Sequence, residues 1–357
     1  MRVVVVGAGL AGLAAAWQLR QSGADVLVLE SGRHAGGVVV TERRAGFVVE
    51  GGPDGFLAAD TDIADLAREL ELGDRLVEQR ARGATLWTGR RLEPLAEGRA
   101  AELLGIPVPA EDAVSGGFRS FAAGMATLVE ALVAGLGGAV RTNQGVSALT
   151  PTRRGWRLAV TGGSAHEAEG VVLAVPGWVA ARLVAGAGVP AARALDTVVY
   201  APSITVSLAY RADQLPGPLV GAGFVAACDA GGVVRACSYS SLKYPERAPD
   251  GALLLRAFLG PTDGDPGALA HAELASILGL SGGPLWARAF HWPRGLPRYR
   301  PGHAARIAAI RARLARLAPL DIAGAAADGA AVSACVKSGR DTARRLLARA
   351  SAPRVGG

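Results

Sequence analysis

The first 30 residues follow a pattern of apolar strand, helix and apolar strand. Residues 3–6 (VVVV) are consecutive β-branched residues, which is typical of a strand buried on both faces. Residues 13–23 (LAAAWQLRQSG) then show helical spacing and end at Gly23, a residue suited to the position after a helix. Residues 26–29 (VLVL) are a second apolar run, so this region predicts a βαβ unit with two buried strands.

Helical spacing returns at residues 61–72 and again at residues 121–138. In the second of these segments, Leu128, Leu132 and Leu136 fall on one stripe. We therefore expect that helix to pack on the core through this stripe.

Short strand patterns lie between and after these helices. Residues 85–95 predict a hairpin that turns at Gly89, and residues 145–160 and 167–178 predict three short strands, the last of them buried. From residue 201 to residue 290 apolar and polar residues alternate, which predicts an antiparallel sheet with one covered face.

Residues 320–350 add a strand, a glycine-rich turn and a helix with basic residues toward its end. The predicted fold class is α/β, with a Rossmann-like first domain of three layers (ββα). A second domain built on the antiparallel sheet is expected to face the substrate.

A glycine motif, GAGLAG at residues 7–12, joins the first predicted strand to the first helix. Gly7 allows a tight turn, Gly9 lets the backbone approach a pyrophosphate, and Gly12 lets helix and strand pack closely. The amino terminus of the helix offers free N–H groups to the phosphates. Glu30, at the end of the second strand, can accept hydrogen bonds from ribose hydroxyls. Together these features predict a dinucleotide site.

A second glycine pair, Gly36 and Gly37, is followed by a strand pattern and by GGPD at residues 51–54. This order resembles the extended fingerprint of FAD enzymes, in which loops after the first βαβ unit close over the diphosphate and the flavin ring. The prediction is therefore FAD rather than NAD.

The chain has 357 residues and a formal net charge of +7, and its positive charge is almost all arginine, with Lys243 and Lys337 as its lysines. Nucleic-acid-binding proteins usually concentrate positive charge on one face or tail. Here the arginines are spread along the chain, so nucleic acid is not an expected partner. Weak attraction to acidic lipid headgroups or to an anionic substrate stays open.

The sequence contains no motif for hydrolytic or metal chemistry. Cys228, Cys237 and Cys335 form no CxxC pair and the histidines are dispersed, so neither a disulfide framework nor a metal site is predicted. No catalytic side chain is predicted either. Flavin dehydrogenation is compatible with this, because there the protein mainly positions and desolvates the substrate.

The sequence has no window of about 18 uncharged apolar residues, the length typical of a membrane span. Its first residues run directly into a predicted strand, so no signal peptide is expected. The expected localisation is cytoplasmic, with at most a weak peripheral contact with the membrane.

Several segments together resemble one family, the oxygen-dependent porphyrinogen oxidases of haem biosynthesis, which are related to the flavin amine oxidases. In chain order these segments are GAGLAGLAAAW, FVVEGGPDGFL, LARELELGDRLV, AAGMATLVEAL, YPERAPDGALLLRAFLG, HWPRGLPRYRPGH and AGAAADGAAVSACVKSGR. The glycine motif is shared with amine oxidases and carotene desaturases, whereas residues 245–251 and 292–303 are more specific to the porphyrinogen enzymes. The resemblance implies oxidation of protoporphyrinogen or coproporphyrinogen to the porphyrin, with FAD as cofactor and O2 as acceptor.

The resemblance also implies where the cofactor binds. The ring would lie near Gly52, Pro53 and Asp54, and the backbone of Val146 would contact the adenine. The adenosine and diphosphate end would contact Gly7, Gly9, Leu10, Ala11, Gly12, Glu30, Ser31, Arg33, Gly36 and Gly37. The carboxyl-terminal flavin motif would include Gly324, Gly329 and Val332.

The chain departs from the family pattern in two places. The family has an arginine after the second glycine pair, where this chain has Val38, with Arg33 as a nearby substitute. The carboxyl-terminal motif of the family carries an aromatic residue and a Gly-Ile-Pro-Asp run, whereas this chain has Ala327 and AVSA at residues 331–334. By this resemblance, the first departure loses one charge-assisted contact, and both departures are expected to weaken FAD binding.

The connector at residues 92–118 is much shorter than its counterpart in that family. There, a mostly helical segment roofs the substrate pocket and carries the membrane-facing surface. We expect this helical part to be truncated near residues 96–115. The expected domains are a discontinuous FAD-binding domain (1–57, 117–195 and 300–357) and a substrate domain (58–116 and 196–299).

Three functions stay open at this point: a porphyrinogen oxidase, another flavin oxidoreductase such as an amine oxidase or desaturase, and a non-catalytic remnant of the FAD fold. An anionic porphyrinogen needs cationic partners for its carboxylates, and Arg294 and Arg298 are the candidates, with solvated surface arginines as the alternative. The sequence leaves the choice of porphyrinogen and the oligomeric state open.

Overall fold

The computed structural model describes residues 1–96, 98–104 and 116–351. In chain order, the strands are β1 (Arg2–Val6), β2 (Asp25–Leu29), β3 (Thr41–Arg44), β4 (Phe47–Glu50), β5 (Phe56–Leu57), β6 (Leu76–Glu78), β7 (Ala84–Trp87), β8 (Leu92–Leu95), β9 (Phe118–Phe121), β10 (Val140–Arg141), β11 (Val146–Thr152), β12 (Gly155–Val160), β13 (Ala165–Ala168), β14 (Gly170–Leu173), β15 (Val199–Arg211), β16 (Gly223–Ala226), β17 (Val234–Ser238), β18 (Ala252–Leu259), β19 (Trp286–Arg298) and β20 (Leu320–Ile322). The α-helices are α1 (Leu10–Gln21), α2 (Thr61–Glu69), α3 (Arg99–Leu103), α4 (Ala126–Leu136), α5 (Gly177–Gly186), α6 (Ser240–Lys243), α7 (Pro266–Leu278), α8 (His303–Leu314) and α9 (Val332–Ser351).

A parallel sheet in the order β10-β2-β1-β14-β20 forms the first domain. Val3 and Val5 of β1 point into one apolar cluster, and Val4 and Val6 point into another. All four side chains are buried because both faces of the sheet are covered. The predicted βαβ unit with its buried strands is confirmed.

Helices α1, α4 and α9 cover one face of this sheet, and Leu128, Leu132 and Leu136 of α4 are buried there as their stripe predicts. The other face carries the meander β11-β12-β13 together with α5 and α8. The resulting three layers are the predicted Rossmann-like arrangement.

A second sheet has the strand order β19-β15-β18-β17-β16-β7-β8. Its pairs are antiparallel except β16 with β7. The expectation of one covered face is wrong at the centre of this sheet. Leu255 of β18 packs on one side, while Leu254 packs with Phe47 and Val49 of the β3-β4 hairpin on the other. The β3-β4 hairpin thus covers the second face there.

Two predicted helices begin or end at different residues. α2 ends at Glu69, before residue 72, and Glu71 has a φ of 58°. α4 begins at Ala126 instead of residue 121, because β9 occupies the preceding residues and Gly124 has a φ of 100°. Backbone with such positive φ cannot continue a right-handed helix.

The helix α7 was not predicted, although its signals are present in the sequence. Asp265 caps it by accepting a hydrogen bond from the Gly267 N–H at 3.0 Å, Pro266 occupies its first turn, and Gly279 ends it with a φ of 70°. These signals lie inside residues 201–290, where the alternating pattern predicted strands, so the helix was overlooked.

The connector at residues 92–118 contains both β8 and α3. Residues 105–115 lie outside the described residues, and most of the predicted truncation falls there. Within the described ranges, no helix combines the length and the apolar character needed to cross a bilayer.

Candidate functional site

The glycine motif forces strand β1 and helix α1 into close contact. Gly7 has a φ of 98°, and a Cβ atom on it would lie 2.4 Å from the Ala174 carbonyl oxygen. A Cβ atom on Gly12 would lie 1.9 Å from the Gly7 carbonyl oxygen. Both contacts are far too short, so these two positions require glycine.

Gly9 differs from these two glycines because it borders open space. It is the N-cap of α1, and a Cβ atom on it would meet no other atom within 4 Å. The N–H groups of the first turn, which includes Leu10 and Ala11, have no acceptor within the helix. Open space at the positive end of a helix suits a pyrophosphate.

The second glycine pair is held directly against Gly9. The Gly36 N–H donates to the Ala8 carbonyl oxygen at 2.8 Å, and Gly9 and Gly36 form a parallel bridge. A Cβ atom on Gly37 would lie 3.3 Å from the Gly9 Cα atom. The two glycine pairs therefore form one cradle.

Glu30 follows β2 and closes the other end of this cradle. Its Oε2 atom accepts from the Ala8 N–H at 2.8 Å, and Oε1 accepts from the Gly32 N–H at 2.7 Å. The Ser31 hydroxyl donates to Oε1 at 3.2 Å. The carboxylate is half-buried and retains lone pairs that ribose hydroxyls could use.

The meander begins beside this end of the cradle. The Gln144 N–H donates to the Glu30 carbonyl oxygen at 2.7 Å, and Gly145 lies against Ser31. Val146 is therefore next to the predicted adenosine site, whereas Arg33 is exposed on the intervening loop.

Beyond the cradle, Gly51 and Gly52 form a tight turn after β4. A Cβ atom on Gly52 would lie 1.7 Å from the Val38 carbonyl oxygen, so this position also requires glycine. The Gly51 N–H donates to the Val40 carbonyl oxygen at 2.8 Å. The turn is thereby attached to the segment that begins at Gly36 and Gly37.

Side chains of the second sheet hold this turn from the other domain. The Arg256 Nη2 atom donates to the Gly52 carbonyl oxygen at 2.6 Å and to the Gly51 carbonyl oxygen at 3.3 Å. The Trp292 indole N–H donates to the Gly51 carbonyl oxygen at 2.9 Å. β18 and β19 thus fix the position of the two peptide groups.

Ion pairs flank the turn on both sides. Arg247 pairs with Glu50 at 3.0 Å, and Lys243 pairs with Asp54 at 2.9 Å. Burial raises the pKa of Glu50, although Arg247 opposes the shift. Burial also acts to raise the pKa of Asp54, but Lys243 and Arg256 outweigh it and lower that pKa to about 2. Asp54 is therefore ionised at neutral pH.

The carboxyl-terminal motif lies beside the start of α1. Gly324 has a φ of 89°, its N–H donates to the Ser338 hydroxyl at 2.8 Å, and a Cβ atom on it would lie 3.0 Å from that of Ala11. Gly339 of α9 packs against Ala11 so closely that a Cβ atom there would lie 2.1 Å from the Ala11 carbonyl oxygen. The motif therefore adjoins the same end of the cradle as Gly9.

Gly329 has a φ of 126° and comes shortly before α9, which begins at Val332. Asp328 lies between Gly324 and Gly329, and it pairs with Arg311 at 2.7 Å. Burial acts to raise the pKa of Asp328, but the hydrogen bond and charge of Arg311 outweigh it and lower that pKa. This ion pair anchors the motif to α8.

An aromatic residue contacts the motif from a different part of the chain. The Tyr299 hydroxyl donates to the Ala325 carbonyl oxygen at 2.6 Å, and its ring stacks on His303. The His303 ring in turn lies 3.1 Å from the Ala327 carbonyl oxygen. The sequence has Ala327 where the family carries an aromatic residue, and Tyr299 places a ring near this segment.

Both candidate substrate arginines are exposed on β19. The guanidinium of Arg294 lies 4.5 Å from the ring of Trp178, which follows the carboxyl end of β14. Ligands of such sheets bind at the carboxyl ends of the strands. Arg298 pairs with Val199 in the ladder, farther along the same strand.

The residues that hold the Gly51-Gly52 turn were not found from the sequence. One signal was available, since Arg256 is a charged residue inside the apolar segment ALLLRAFL. Another was Lys243, because lysine is rare in this chain. Among the described residues, no group of three His, Cys, Asp or Glu side chains could hold a metal ion.

The cradle, the Gly51-Gly52 turn and the carboxyl-terminal motif fit an extended dinucleotide cofactor such as FAD. Gly9 leaves the space for a diphosphate, Glu30 offers a ribose acceptor at one end, and Gly52 and Gly324 lie toward the other. The individual contacts assigned to the cofactor stay predictions.

Comparison with known proteins supports this interpretation. Residues 102–347 match the family described as flavin containing amine oxidoreductase, and residues 5–70 match a NAD(P)-binding Rossmann-like domain. The chain is 27% identical to a coproporphyrinogen III oxidase of Propionibacterium freudenreichii, covering 97% of this chain and 90% of the relative. It is 31% identical to a protoporphyrinogen oxidase of Bos taurus, covering 64% of this chain and 51% of the relative.

Solved structures show the same fold. A protein of an Exiguobacterium species, provisionally named a protoporphyrinogen oxidase, has a TM-score of 0.83 at 24% identity, covering 97% of this chain and 99% of that one. Cyclohexylamine oxidase of Brevibacterium oxydans has a TM-score of 0.78 at 15% identity, covering 99% of this chain and 100% of that one. The predicted α/β class, the FAD cofactor and the assignment as an oxidoreductase are confirmed. The chain belongs to the flavin containing amine oxidoreductase family.

Proposed function

We propose that this protein is an FAD-dependent oxidase that converts a porphyrinogen to the porphyrin with O2. The observation that carries the proposal is the similarity to coproporphyrinogen III oxidases along 97% of this chain. The site agrees with it, since the cradle, the Gly51-Gly52 turn and the carboxyl-terminal motif fit FAD.

Bound FAD would supply the redox chemistry, as the acceptor of a hydride from a carbon of the substrate. The residues of this chain bind, orient and exclude water. The amino terminus of α1 would hold the diphosphate and Glu30 a ribose, while the Gly51-Gly52 turn and the segment before α9 would flank the ring. Overall, each two-electron oxidation would remove two electrons and two protons from the porphyrinogen and transfer them to one O2, giving one H2O2.

Coproporphyrinogen III is the substrate to test first. Relatives with that name in several bacteria cover 93% to 97% of this chain, whereas the protoporphyrinogen oxidases of Bos taurus and Homo sapiens cover 64% and 54%. Coproporphyrinogen also carries more carboxylates than protoporphyrinogen, and exposed arginines such as Arg294 and Arg298 can pair with carboxylates.

The domain boundaries named from the sequence are part of the proposal, as is the truncated helical part near residues 96–115. The first alignment extends over 480 residues although this chain has 357, so it contains long gaps on the side of this chain. A shorter roof over the pocket leaves the substrate side more open and removes the membrane-facing surface of the family. Inserting the corresponding segment of a relative there is expected to raise porphyrinogen turnover, and unchanged turnover would contradict this part.

The deciding experiment is an aerobic assay of the FAD-loaded protein on both porphyrinogens, followed by porphyrin fluorescence and peroxide release. We expect fluorescence to rise faster than in the heat-inactivated control, with coproporphyrinogen III as the better substrate. Putrescine and cyclohexylamine serve as comparison substrates, since amine oxidases share the fold. Peroxide from amines without porphyrin formation would replace the proposal by amine oxidation, and a protein that binds no FAD would favour a non-catalytic remnant.

A further inference from the structure

Five charged residues surround the Gly51-Gly52 turn, and we call them the turn cluster: Glu50, Asp54, Lys243, Arg247 and Arg256. Three of these side chains are almost fully buried, with relative exposures of 5% for Glu50, 2% for Arg247 and 4% for Arg256. Buried charges are costly unless they are paired. We therefore expect three buried charged side chains beside one backbone turn to serve a function.

The charges of the turn cluster do not cancel. Glu50 pairs with Arg247 and Asp54 pairs with Lys243, which leaves Arg256 without a carboxylate of its own among residues 1–96, 98–104 and 116–351. The Nε atom of Arg256 is buried and has no hydrogen-bond partner in the part of the chain that the structure describes. Because Asp54 is ionised, the cluster carries net positive charge whether Glu50 is ionised or protonated.

Arg256 acts together with Trp292 in orienting the peptide groups of the turn. It draws the carbonyl oxygens of Gly51 and Gly52 toward its Nη2 atom, at 3.3 and 2.6 Å. In a planar trans peptide the N–H points opposite to the carbonyl. The Gly52 N–H therefore points away from Arg256, and it donates to no acceptor among the described residues. Since Pro53 has no N–H, this is the donor that the turn offers.

The turn is coupled to the cofactor cradle through backbone contacts. Gly52 packs against the Val38 carbonyl, the Gly51 N–H bonds to Val40, and Gly36 bonds to Ala8 beside Gly9. A shift of the turn would therefore be transmitted to the residues around the diphosphate. Because these contacts hold the turn, its peptide groups are preorganised.

We propose that Arg256 is a positioning residue for the flavin: it aims the Gly52 N–H at an acceptor atom of the ring and places net positive charge beside it. The inference rests on the proposed function, since it requires bound FAD. Reduction adds negative charge to the flavin, and a fixed donor with a nearby positive charge stabilises the reduced form more than the oxidised one. Arg256 thereby raises the reduction potential of the bound cofactor.

The test measures the midpoint potential of the FAD-loaded protein by equilibration with reference dyes, without any porphyrinogen. In Arg256→Met we expect the ratio of the affinities for reduced and oxidised FAD to fall at least tenfold. For a two-electron couple this lowers the midpoint potential by about 30 mV. Arg256→Lys keeps the charge but not the planar guanidinium, so its midpoint potential should lie between those of the wild type and Arg256→Met. The control Arg157→Met removes an exposed arginine of β12 and should leave the potential unchanged.

An Arg256→Met protein that binds FAD with an unchanged potential would overturn the inference and leave the proposed function intact. If Arg256→Met does not fold, Arg256→Lys decides, and a wild-type potential in that variant overturns the inference. A shift in Arg157→Met as large as in Arg256→Met would also overturn it, because the effect would then not depend on the turn. Wild-type protein that binds no FAD would overturn both the inference and the proposed function.

Discussion

The guanidinium of Arg247 lies 3.0 Å from the carboxylate of Glu50, and both side chains are almost completely buried. Glu50 ends the last strand of the β3-β4 hairpin, whereas Arg247 lies between α6 and β18 on the chain of the second sheet. The Glu50 carboxylate also accepts from the Thr41 hydroxyl and the Met125 N–H, at 2.7 and 2.8 Å. This one carboxylate therefore joins the hairpin, the start of α4 and the second sheet.

Replacing Arg247 by methionine is expected to lower the free energy of unfolding by about 3–5 kcal/mol, because it leaves the Glu50 carboxylate buried without its cation. Chemical denaturation followed by circular dichroism measures the change. Arg91→Met is the control, since Arg91 and Glu93 form an exposed pair worth about 0–1 kcal/mol. Equal losses in the two variants would contradict the special role of the buried pair.

Gly9→Ala and Gly12→Ala are expected to separate cofactor binding from folding. The new methyl group at residue 9 enters open space, so the FAD-free protein should keep its melting temperature while its affinity for FAD falls at least tenfold. The methyl group at residue 12 would meet the Gly7 carbonyl oxygen at 1.9 Å, so the FAD-free protein itself should be strongly destabilised. Calorimetry with and without FAD measures both effects, and wild-type FAD affinity in Gly9→Ala would argue against a diphosphate at this place.

Arg294→Ala and Arg298→Ala are expected to raise KM for coproporphyrinogen III several-fold with a smaller change in kcat, because they remove cations that bind carboxylates without touching the reacting carbon. Steady-state kinetics on the FAD-loaded protein provide the measurement. Arg157→Ala serves as the matched control, since Arg157 is an exposed arginine in the meander strand β12. Unchanged KM in both substrate-side variants would mean that these arginines are only solvated surface residues.

Asp54 predicts a specific dependence of stability on acid pH. Its folded-state pKa of about 2 lies below the ordinary value of 3.8, so its contribution is complete above about pH 4 and is lost as the pH falls toward 2. In Asp54→Asn that part of the pH dependence should disappear, and the stabilities of variant and wild type should approach each other below pH 3. If the free energies of unfolding of wild type and Asp54→Asn change in parallel from pH 5 to pH 2, Asp54 is not held ionised in the folded protein.

Much of the first domain follows from local rules that the sequence displays directly. Four β-branched residues in a row predicted β1, and the glycine spacing predicted the tight turn before α1, because only glycine tolerates the contacts at residues 7 and 12. The leucine stripe of α4 likewise predicted its buried face. Such patterns are readable because each depends on neighbours that are close along the chain.

The turn cluster illustrates what local rules cannot supply. Arg256 is separated from Gly52 by 204 residues, and Arg247 from Glu50 by 197. An arginine in an apolar strand was visible, but the partner that permits its burial was not. The pairing arises because the β3-β4 hairpin covers the second face of the large sheet, which also made the expectation of one covered face wrong.

The sequence by itself determined the βαβ unit, the family resemblance and the prediction of FAD, because these depend on backbone sterics and on side-chain spacing within short segments. Only the tertiary structure decided which charged groups meet at Gly51 and Gly52 and which ring stands beside the carboxyl-terminal motif. Contacts between segments about two hundred residues apart are set by how the two sheets pack, and no local pattern records that packing.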